Sequence, residues 1–276
     1  MVPTLDLWEE HASWDWASIR EGLPEGAFDE VVLLSEAGST NDIARRKLDA
    51  CDRVLVLAES QTEGRGQGGR RWVSPRGGLW FSLGLREEEG NLSLIPILTG
   101  VAVAEGLREM GFDARLKWPN DIVVAGGKVA GILVEAIVCG GRTDVVVGIG
   151  VNVNLCPHRL QERVVESRVG TLSALAGHPL PRGEVLSRIL AAFLHLWPRW
   201  RSGRTGPVVD RWREISMTLG QRVTIRGSHG GVLAGFALDL APDGSLVILD
   251  DEGTLRRVAE GRLAASGEEL AGPDRR

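Results

Sequence analysis

The sequence predicts an α/β (α+β) fold in which helices flank a mixed β-sheet and a small all-β unit follows. Short β-rich runs alternate with helical stretches from Val31 to Val153, a pattern typical of a sheet covered by helices. Two more helical stretches follow, near 183–200 and 207–217, and after Gly220 the chain changes to short β runs broken by glycine turns. A chain of 276 residues, 43% of them hydrophobic, can bury a core of this size.

The first predicted elements surround a glycine-rich loop. A strand at 31–36 is followed by a helix at 39–50 and by a second strand at 53–60 that enters the loop. Ser39 or Thr40 is a suitable N-cap for this helix. A cap explains where the helix begins but does not identify what its N-terminus faces.

The elements beyond the loop complete the large sheet. We expect a helix at 93–111, with Pro96 in its first turn, where a missing N–H costs little. The expected strands lie at 79–86, across 114–138 with a turn and a hairpin at Gly126–Gly127, and at 143–154.

The C-terminal β runs predict a separate small unit. Asp-Gly and Glu-Gly turns at 243–244 and 252–253 separate short apolar runs, which indicates a five-stranded barrel of the SH3 type. We therefore expect a first domain at 1–217, a second at 218–266 and a polar, flexible tail at 267–276.

Composition narrows the function classes. The net charge of −5 gives no general attraction to nucleic acid. No apolar stretch reaches the roughly 18 residues of a membrane span, and the acidic start does not resemble a secretion signal, so we expect a cytoplasmic protein. The three Cys and five His show no metal-ligand spacing, so no metal-binding side chains are predicted. Only Lys47, Lys117 and Lys128 among the 32 basic residues are lysines, which makes each of them notable.

The glycine-rich loop, TEGRGQGGRRWVSP at 62–75, invites a phosphate-binding interpretation. Gly64, Gly66 and Gly69 match the spacing of a dinucleotide-binding fingerprint. However, Pro75 and Gly77–Gly78 prevent the helix that such a fingerprint must open. A Walker loop is also excluded, because no Gly-Lys-Ser/Thr follows.

Three interpretations of the loop remain. It could be a mobile surface turn, as many glycine-rich loops are. It could bind single-stranded nucleic acid, with arginines on phosphates and Trp72 and Trp80 as stacking platforms, although such proteins need a continuous basic groove. A small nucleotide fits better, since glycine N–H groups can wrap an anion, arginines supply charge and Trp72 can cover a base.

Two further segments carry unusual residues. KWPND (117–121) places Lys117 at a strand end before a proline-containing turn, which alone is as consistent with a solvated lysine as with a functional one. GKVAGILVE (127–135) and GIGVNVN (148–154) place glycines inside strands. Glycine weakens a strand unless another backbone or a ligand approaches closely.

Together these segments resemble the catalytic domain of biotin protein ligases, also called biotin–acetyl-CoA-carboxylase ligases. STND, ESQTEGRGQGGRRWVSPRGGLWFS, KWPNDIVVAGGKVAGILVE and VGIGVNVN follow one another as in that family, and the resemblance spans about residues 35–155. It implies a class II synthetase-like catalytic domain and a two-step reaction. The biotin carboxylate attacks the α-phosphorus of ATP, with Mg²⁺, to give biotinyl-5′-adenylate and pyrophosphate. The adenylate then acylates a lysine of a biotin carboxyl carrier protein.

The resemblance also implies the site residues. Lys117 and Arg65 would be catalytic, offsetting the repulsion between the two anions together with Mg²⁺. The biotin-binding residues would be Ser39, Thr40, Asn41, Gln61, Gly64, Arg65, Gly66, Gln67, Lys117, Gly131 and Gly148. The residues for ATP and the adenylate would be Arg65, Arg70, Trp72, Lys117 and Asn152.

Two departures from the family pattern affect these expectations. Gln67 stands where many members have a second Arg that helps to retain the adenylate, so retention is weaker here or depends on Arg70. Some members carry an N-terminal helix-turn-helix domain, but about 30 residues precede the first strand, too few for that module. A short form that does not bind DNA is therefore expected.

Alternatives and open points remain at this stage. A lipoate or octanoate ligase or transferase shares the fold but would need an apolar pocket, whereas STND and Gln61 offer polar groups to a cyclic urea. A single-stranded nucleic-acid module is the alternative from another class. The sequence does not specify the oligomeric state, for which a homodimer is the expectation, nor the carrier protein, the role of the barrel or the role of residues 1–30.

Overall fold

The computed structural model describes residues 25–87, 92–139, 142–164, 168–227 and 231–263. The expectations about residues 1–24, about the end of the second domain at 264–266 and about the tail at 267–276 concern residues outside these ranges.

A seven-stranded sheet forms the centre of the first unit. Its strand order is β1-β2-β3-β7-β6-β5-β4. β1 and β2 are parallel and every other neighbouring pair is antiparallel, so the predicted mixed sheet is confirmed. The strands are β1 (Glu30–Leu34), β2 (Arg53–Ala58), β3 (Leu79–Glu87), β4 (Arg115–Lys117), β5 (Asp121–Val124), β6 (Gly127–Cys139) and β7 (Arg142–Val151).

Helices cover the two faces of this sheet unequally. Alternate residues of β2 point to opposite faces. Val54 and Val56 pack against α1, whereas Leu55 and Leu57 belong to the main core. That core also contains residues of α2, α5 and α6. The helices are α1 (Thr40–Lys47), α2 (Ile95–Glu109), α3 (Pro157–Gln161), α4 (Leu172–Ala176), α5 (Arg182–Arg201) and α6 (Gly206–Ile215).

The α1 face of the sheet carries a strip of small residues. Ser82 of β3 pairs with Gly148 of β7. Gly150, two positions further along β7, pairs with Gly131 of β6. Directly paired residues share a face of the sheet. A trough without large side chains therefore runs across the strands near the N-terminus of α1.

The second unit is a five-stranded antiparallel sheet in the order β11-β10-β9-β8-β12. The predicted number of strands is confirmed. Within the described residues β11 and β12 are edge strands, so the pairing does not close a barrel. The strands are β8 (Arg222–Arg226), β9 (Val232–Leu240), β10 (Leu246–Asp250), β11 (Leu255–Val258) and β12 (Arg262–Leu263).

Specific bonds tie the small sheet to the large one. Arg213 of α6 donates to the Asp239 carboxylate at 2.7 Å and to the Leu240 carbonyl at 2.7 Å. The Thr218 hydroxyl accepts a buried hydrogen bond from the Trp118 N–H at 2.9 Å. The turn after β4 is therefore supported by the segment that leads into the small sheet.

Several boundaries differ from the sequence expectations. The first helix ends at Lys47 and β7 ends at Val151, earlier than the patterns indicated. The five-residue helices α3 and α4 were not predicted, because one turn and a half is too short for a periodic signal. Gly177 ends α4 with φ 78°, the left-handed conformation that glycine adopts without strain.

Candidate active site

A cavity opens on the α1 face of the large sheet, bounded by the glycine-rich loop, the KWPND turn and β12. All the residues predicted from the sequence line it except Gly64: Ser39, Thr40, Asn41, Gln61, Arg65, Gly66, Gln67, Arg70, Trp72, Lys117, Gly131, Gly148 and Asn152. Gly64 is a buried residue of the loop itself, and an added Cβ there would lie 2.5 Å from the Trp72 carbonyl oxygen. Gly64 therefore allows the loop to fold tightly and does not face the cavity.

The N-terminus of α1 forms one end of the cavity. Ser39 occupies the N-cap position, but its side chain makes no capping hydrogen bond. The Gln61 Oε1 instead accepts from the Thr40 N–H at 2.9 Å and from the Thr40 hydroxyl at 3.1 Å. Ser39 thus takes the N-cap position predicted for Ser39 or Thr40, but Gln61 rather than the Ser39 hydroxyl accepts from the first helical N–H. Ser39 is buried and lines the cavity.

Asn41 is fixed from both sides of its amide. Its Nδ2 donates to the Glu135 carboxylate at 2.6 Å, and its Oδ1 accepts from the Ser82 hydroxyl at 2.6 Å. An added Cβ on Gly148 would lie 2.3 Å from that same Oδ1. Glycine is required in β7 because the Asn41 side chain, rather than a ligand, occupies this space.

Trp72 lies across the glycine strip. An added Cβ would lie 2.5 Å from its Nε1 at Gly150 and 2.9 Å from its ring at Gly131. The ring meets Trp80 edge to face, with centroids 6.5 Å apart. Among the described residues, the buried Trp72 Nε1 has no hydrogen-bond partner. The strand glycines therefore admit the indole that covers the middle of the cavity.

Arg65 is already paired inside the protein. Its guanidinium donates to both oxygens of Asp42, at 2.8 and 2.6 Å, and lies 3.9 Å from Glu135. The hydrogen bond from Arg65 lowers the pKa of Asp42, and the same bond raises the pKa of Arg65, with burial opposing both shifts. The charge of Arg65 is largely compensated by these carboxylates.

Lys117 differs from Arg65 in this respect. It ends β4 and lines the cavity, and within the described residues it has neither a hydrogen bond nor an ion pair through its side chain. The following turn is held by the Trp118–Thr218 bond and by a 2.6 Å hydrogen bond from Asn120 Nδ2 to the Ile132 carbonyl. A cation that forms no direct ion pair within the described residues is thus held on a firmly anchored turn.

Comparisons with known proteins agree with this arrangement. Residues 38–154 match the model of the Biotin/lipoate A/B protein ligase family, and residues 218–262 match the Biotin protein ligase C terminal domain. The chain is 34% identical to the biotin–[acetyl-CoA-carboxylase] ligase of Paracoccus denitrificans, over 72% of this chain and 87% of that protein. It is 30% identical to the enzyme of the same name from Mycobacterium tuberculosis, over 78% and 82% of the two chains. The chain belongs to the biotin protein ligase family.

Solved structures of biotin protein ligases show the same relationship in the fold. The biotin protein ligase from Aquifex aeolicus in complex with biotin and ATP superimposes with a TM-score of 0.73 at 30% identity. That alignment covers 86% of this chain and 98% of the Aquifex chain. The enzyme from Leishmania major, at 22% identity and a TM-score of 0.58, shows the likeness of the fold alone.

The cavity of the ligase also contains charged residues that the sequence did not assign. Lys128 Nζ pairs with Asp121 Oδ1 at 2.6 Å and lies 5.0 Å from the centroid of the Trp72 ring. Asp121 is the only acidic residue among the described residues that line the cavity, whereas Arg71 and Arg262 add further cations. The scarcity of lysine in the sequence could have indicated a role for Lys128 in the cavity, since two of the three lysines line it.

Two absences concern the described part of the ligase. No cluster of three or more His, Cys, Asp or Glu side chains is placed there to hold a metal ion. None of its helices combines the length and the apolar character that a membrane crossing requires.

Proposed function

We propose that the chain activates biotin with ATP to form biotinyl-5′-AMP and then transfers the biotinyl group to a lysine of a biotin carboxyl carrier protein. The observation that carries this proposal is the position of Lys117. Its ammonium group, which forms no direct ion pair within the described residues, lies in one cavity with the polar end built by Ser39, Thr40 and Asn41. One molecule with a polar head and a carboxylate tail can contact both.

The α1 end of the cavity suits the cyclic urea of biotin. Ser39 is buried without a capping bond, and the hydroxyl of Thr40 and the amide of Asn41 are fixed by Gln61 and Ser82. An acyl chain without polar atoms would cover the Ser39 hydroxyl, which has no hydrogen bond within the described residues, without giving it a partner, which is costly. A urea supplies both donors and an acceptor. These contacts favour biotin over lipoate or octanoate.

The centre of the cavity suits the reaction between two anions. A carboxylate oxygen attacks the α-phosphorus, the bond to the bridging oxygen of pyrophosphate breaks, and pyrophosphate leaves. We place Lys117 against the reacting carboxylate and phosphate, where a fixed cation stabilises the charge that redistributes in the transition state. Arg65, held by Asp42, is placed beside it as the residue that fixes the loop over the substrate.

The other end of the cavity is proposed to hold the nucleotide. Trp72 provides an aromatic surface and a buried N–H without a partner in the described residues. The Nδ2 of Asn152 already donates to the carbonyls of Lys128, at 3.3 Å, and of Gly170, at 3.1 Å. Asn152 therefore contributes by holding this wall, and Arg70, which also lines the cavity, is placed on the phosphate side.

Mg²⁺ is proposed to enter with ATP. Asp121, paired with Lys128, is the only carboxylate that lines the described cavity, so the donor set suits a metal held mainly by phosphates and water. When bound, Mg²⁺ neutralises part of the phosphate charge. A cytoplasmic location, a homodimer and domains divided at 217/218 stay predictions. The match of the C-terminal domain model to residues 218–262 supports the last of these.

The direct test is biotin-dependent exchange of pyrophosphate into ATP, with lipoate and octanoate as competing acids. Exchange is expected with biotin and not with lipoate or octanoate. Calorimetric titration of the three acids, with and without ATP, should show the same order of affinity. Exchange driven by lipoate or octanoate but not by biotin would contradict the proposal.

A further inference from the structure

Only two charged residues are buried within the described residues, and they bind each other. Arg182, the first residue of α5, is 4% exposed, and Glu59, which follows β2, is 9% exposed. The Arg182 Nη2 donates to both oxygens of Glu59, at 3.1 and 3.0 Å. Neither residue lines the cavity. A buried ion pair adds little net stability, because the lost hydration offsets the attraction, so its position needs another explanation.

Arg182 joins the two ends of the glycine-rich loop. Glu59 lies three residues before the loop segment 62–75, and Gly78 lies three residues after it; we call residues 59 and 78 the loop stems. While Nη2 holds Glu59, Nη1 of the same guanidinium donates to the Gly78 carbonyl at 2.9 Å. A planar guanidinium presents its donors in a fixed fork, so the two bonds set the separation of the stems.

The residues before α5 hold the same exit from the loop. The Asn154 N–H donates to the Gly77 carbonyl at 2.9 Å. The Asn154 side chain forms two bonds with the Leu180 backbone, donating to its carbonyl and accepting from its N–H, both at 2.9 Å. The start of α5 is therefore bonded to the exit from the loop at successive residues, with Arg182 as the one that also reaches the entry.

Both stems lead to residues of the cavity. Gln61, two residues beyond Glu59, accepts from the first turn of α1. On the exit side, the Trp80 ring packs directly on Gly78 and meets the Trp72 ring edge to face, with centroids 6.5 Å apart. A change in the separation of the stems would therefore move residues at both ends of the cavity.

We propose that the Glu59–Arg182 pair positions both stems of the glycine-rich loop and thereby determines how long the enzyme retains biotinyl-adenylate. This inference rests on the proposed function. With the stems fixed, closing the loop orders only the residues between them, so less entropy is lost when the adenylate is held. Glu59 and Arg182 are positioning residues, since they act through Gln61 and Trp72.

The test replaces the pair by apolar side chains. The double variant Glu59→Leu, Arg182→Met buries no charge, so we expect it to fold, whereas either single apolar change would leave one buried charge unpaired. Release of preformed biotinyl-adenylate should be about 10-fold faster, within the range by which residues without ligand contact alter coupling between sites. Pyrophosphate exchange at saturating biotin and ATP should change less, because Lys117 lies on a different turn.

Arg182→Lys provides a second measurement. It keeps a cation beside Glu59 but lacks the planar fork, so it should fold and release the adenylate at an intermediate rate. The matched control is the double variant Arg86→Met, Asp144→Leu, which removes an ion pair towards the other end of β3 whose side chains are 19% and 17% exposed. Its release rate should equal that of the wild type.

Release at the wild-type rate from both pair variants overturns the proposal, and Arg182→Lys alone decides if the double variant does not fold. Equally fast release from the control also overturns it, since the cause would then be lower stability, which urea unfolding of the same proteins measures. So does a loss of pyrophosphate exchange larger than the change in release. Failure of the wild-type enzyme to exchange pyrophosphate with biotin would instead contradict the proposed function.

Discussion

The Arg65 guanidinium holds the Asp42 carboxylate through two hydrogen bonds, of 2.8 and 2.6 Å, and so links the glycine-rich loop to the first turn of α1. Both side chains of this pair are about one third exposed. Ion pairs of this kind contribute less than about 1 kcal/mol to the stability of the folded protein. The pair is therefore strong enough to bias the loop and weak enough to open.

Asp42→Asn is expected to loosen the loop without unfolding the protein, because one charge of this weak pair is removed. Trypsin cleavage after Arg70 and Arg71 should become faster in the free enzyme. Asp113→Asn, which disrupts pairs with Arg108 and Arg115 instead, should leave loop cleavage unchanged. Similar cleavage of all three proteins would show that the pair does not restrain the loop.

The same pair predicts a pH dependence. The hydrogen bond from Arg65 lowers the folded-state pKa of Asp42, so its contribution to stability is complete above the unfolded pKa of an aspartate, about 4. It is lost as the pH falls through the lower folded value. The difference in stability between wild type and Asp42→Asn should therefore shrink in acid, as measured by urea unfolding at a series of pH values.

Lys117→Met should abolish most adenylate formation and leave the fold intact, because it keeps the side-chain volume and removes the charge. Loss of a preorganised electrostatic contact predicts a decrease of about 100-fold or more in pyrophosphate exchange. Lys117→Ala should show a similar decrease in pyrophosphate exchange. Lys47→Met is the control, since Lys47 pairs with Glu30 outside the cavity. A folded Lys117→Met protein with normal exchange would contradict the assigned role.

Gly150→Ala should displace Trp72, because the new Cβ would lie 2.5 Å from its Nε1. We expect weaker ATP binding by calorimetry and a loss of about 1–3 kcal/mol in stability, as overpacking typically causes. Gly206→Ala in α6 is the matched change, since no atom lies within 4 Å of the added Cβ. Normal ATP affinity in Gly150→Ala would show that Trp72 does not contribute to nucleotide binding.

Substrates should order the loop. Gly68 and Gly69 adopt φ values of 70° and 73°, and fixing such glycines costs entropy that anionic contacts can offset. Cleavage after Arg65, Arg70 or Arg71 should slow markedly when biotin and ATP are added. Equal cleavage with and without them would exclude ordering by ligand.

Gln67→Arg should slow the release of biotinyl-adenylate. Gln67 lines the cavity and offers a neutral amide, which bonds phosphate more weakly than a charged group does. The effect should be on the order of 1 kcal/mol, or a few-fold in rate, because Arg70 and Arg71 also line the cavity.

The measurement is a dissociation time course of preformed adenylate, alongside biotinylation of an unrelated lysine-rich protein. Slower release in Gln67→Arg should be matched by less bystander labelling. Gln221→Arg, exposed and outside the cavity, is the control. Release from Gln67→Arg as fast as from wild type would show that residue 67 does not face the phosphate.

Local patterns in the sequence predicted most of the elements, because alternation and glycine turns are properties of neighbouring residues. They could not show what the strand glycines accommodate. Gly148 contacts Asn41, and Gly150 contacts Trp72, each from a distant part of the chain. The sequence indicated a close approach in the strands but not that side chains of the protein itself make it.

Lys128 illustrates a different limit. It lies three positions before Gly131, and simple alternation places such residues on opposite faces of a strand. A register shift between Ile122 and Val123 of the neighbouring strand changes this relationship, so that Lys128 and Gly131 both line the cavity. Bulges of this kind re-aim a side chain and depend on the partner strand, so the sequence of β6 alone could not place Lys128.

The hydrogen bond from the Trp118 N–H to Thr218 has a consequence for anyone who shortens the chain. A fragment that stops at residue 217 keeps nearly every wall of the cavity and omits Gly261, Arg262 and Leu263. It also removes the hydroxyl that steadies the residue next to Lys117. Such a fragment should still bind its small-molecule substrates, but the Lys117 ammonium group should be positioned less accurately. We therefore expect a larger decrease in turnover rate than in substrate affinity.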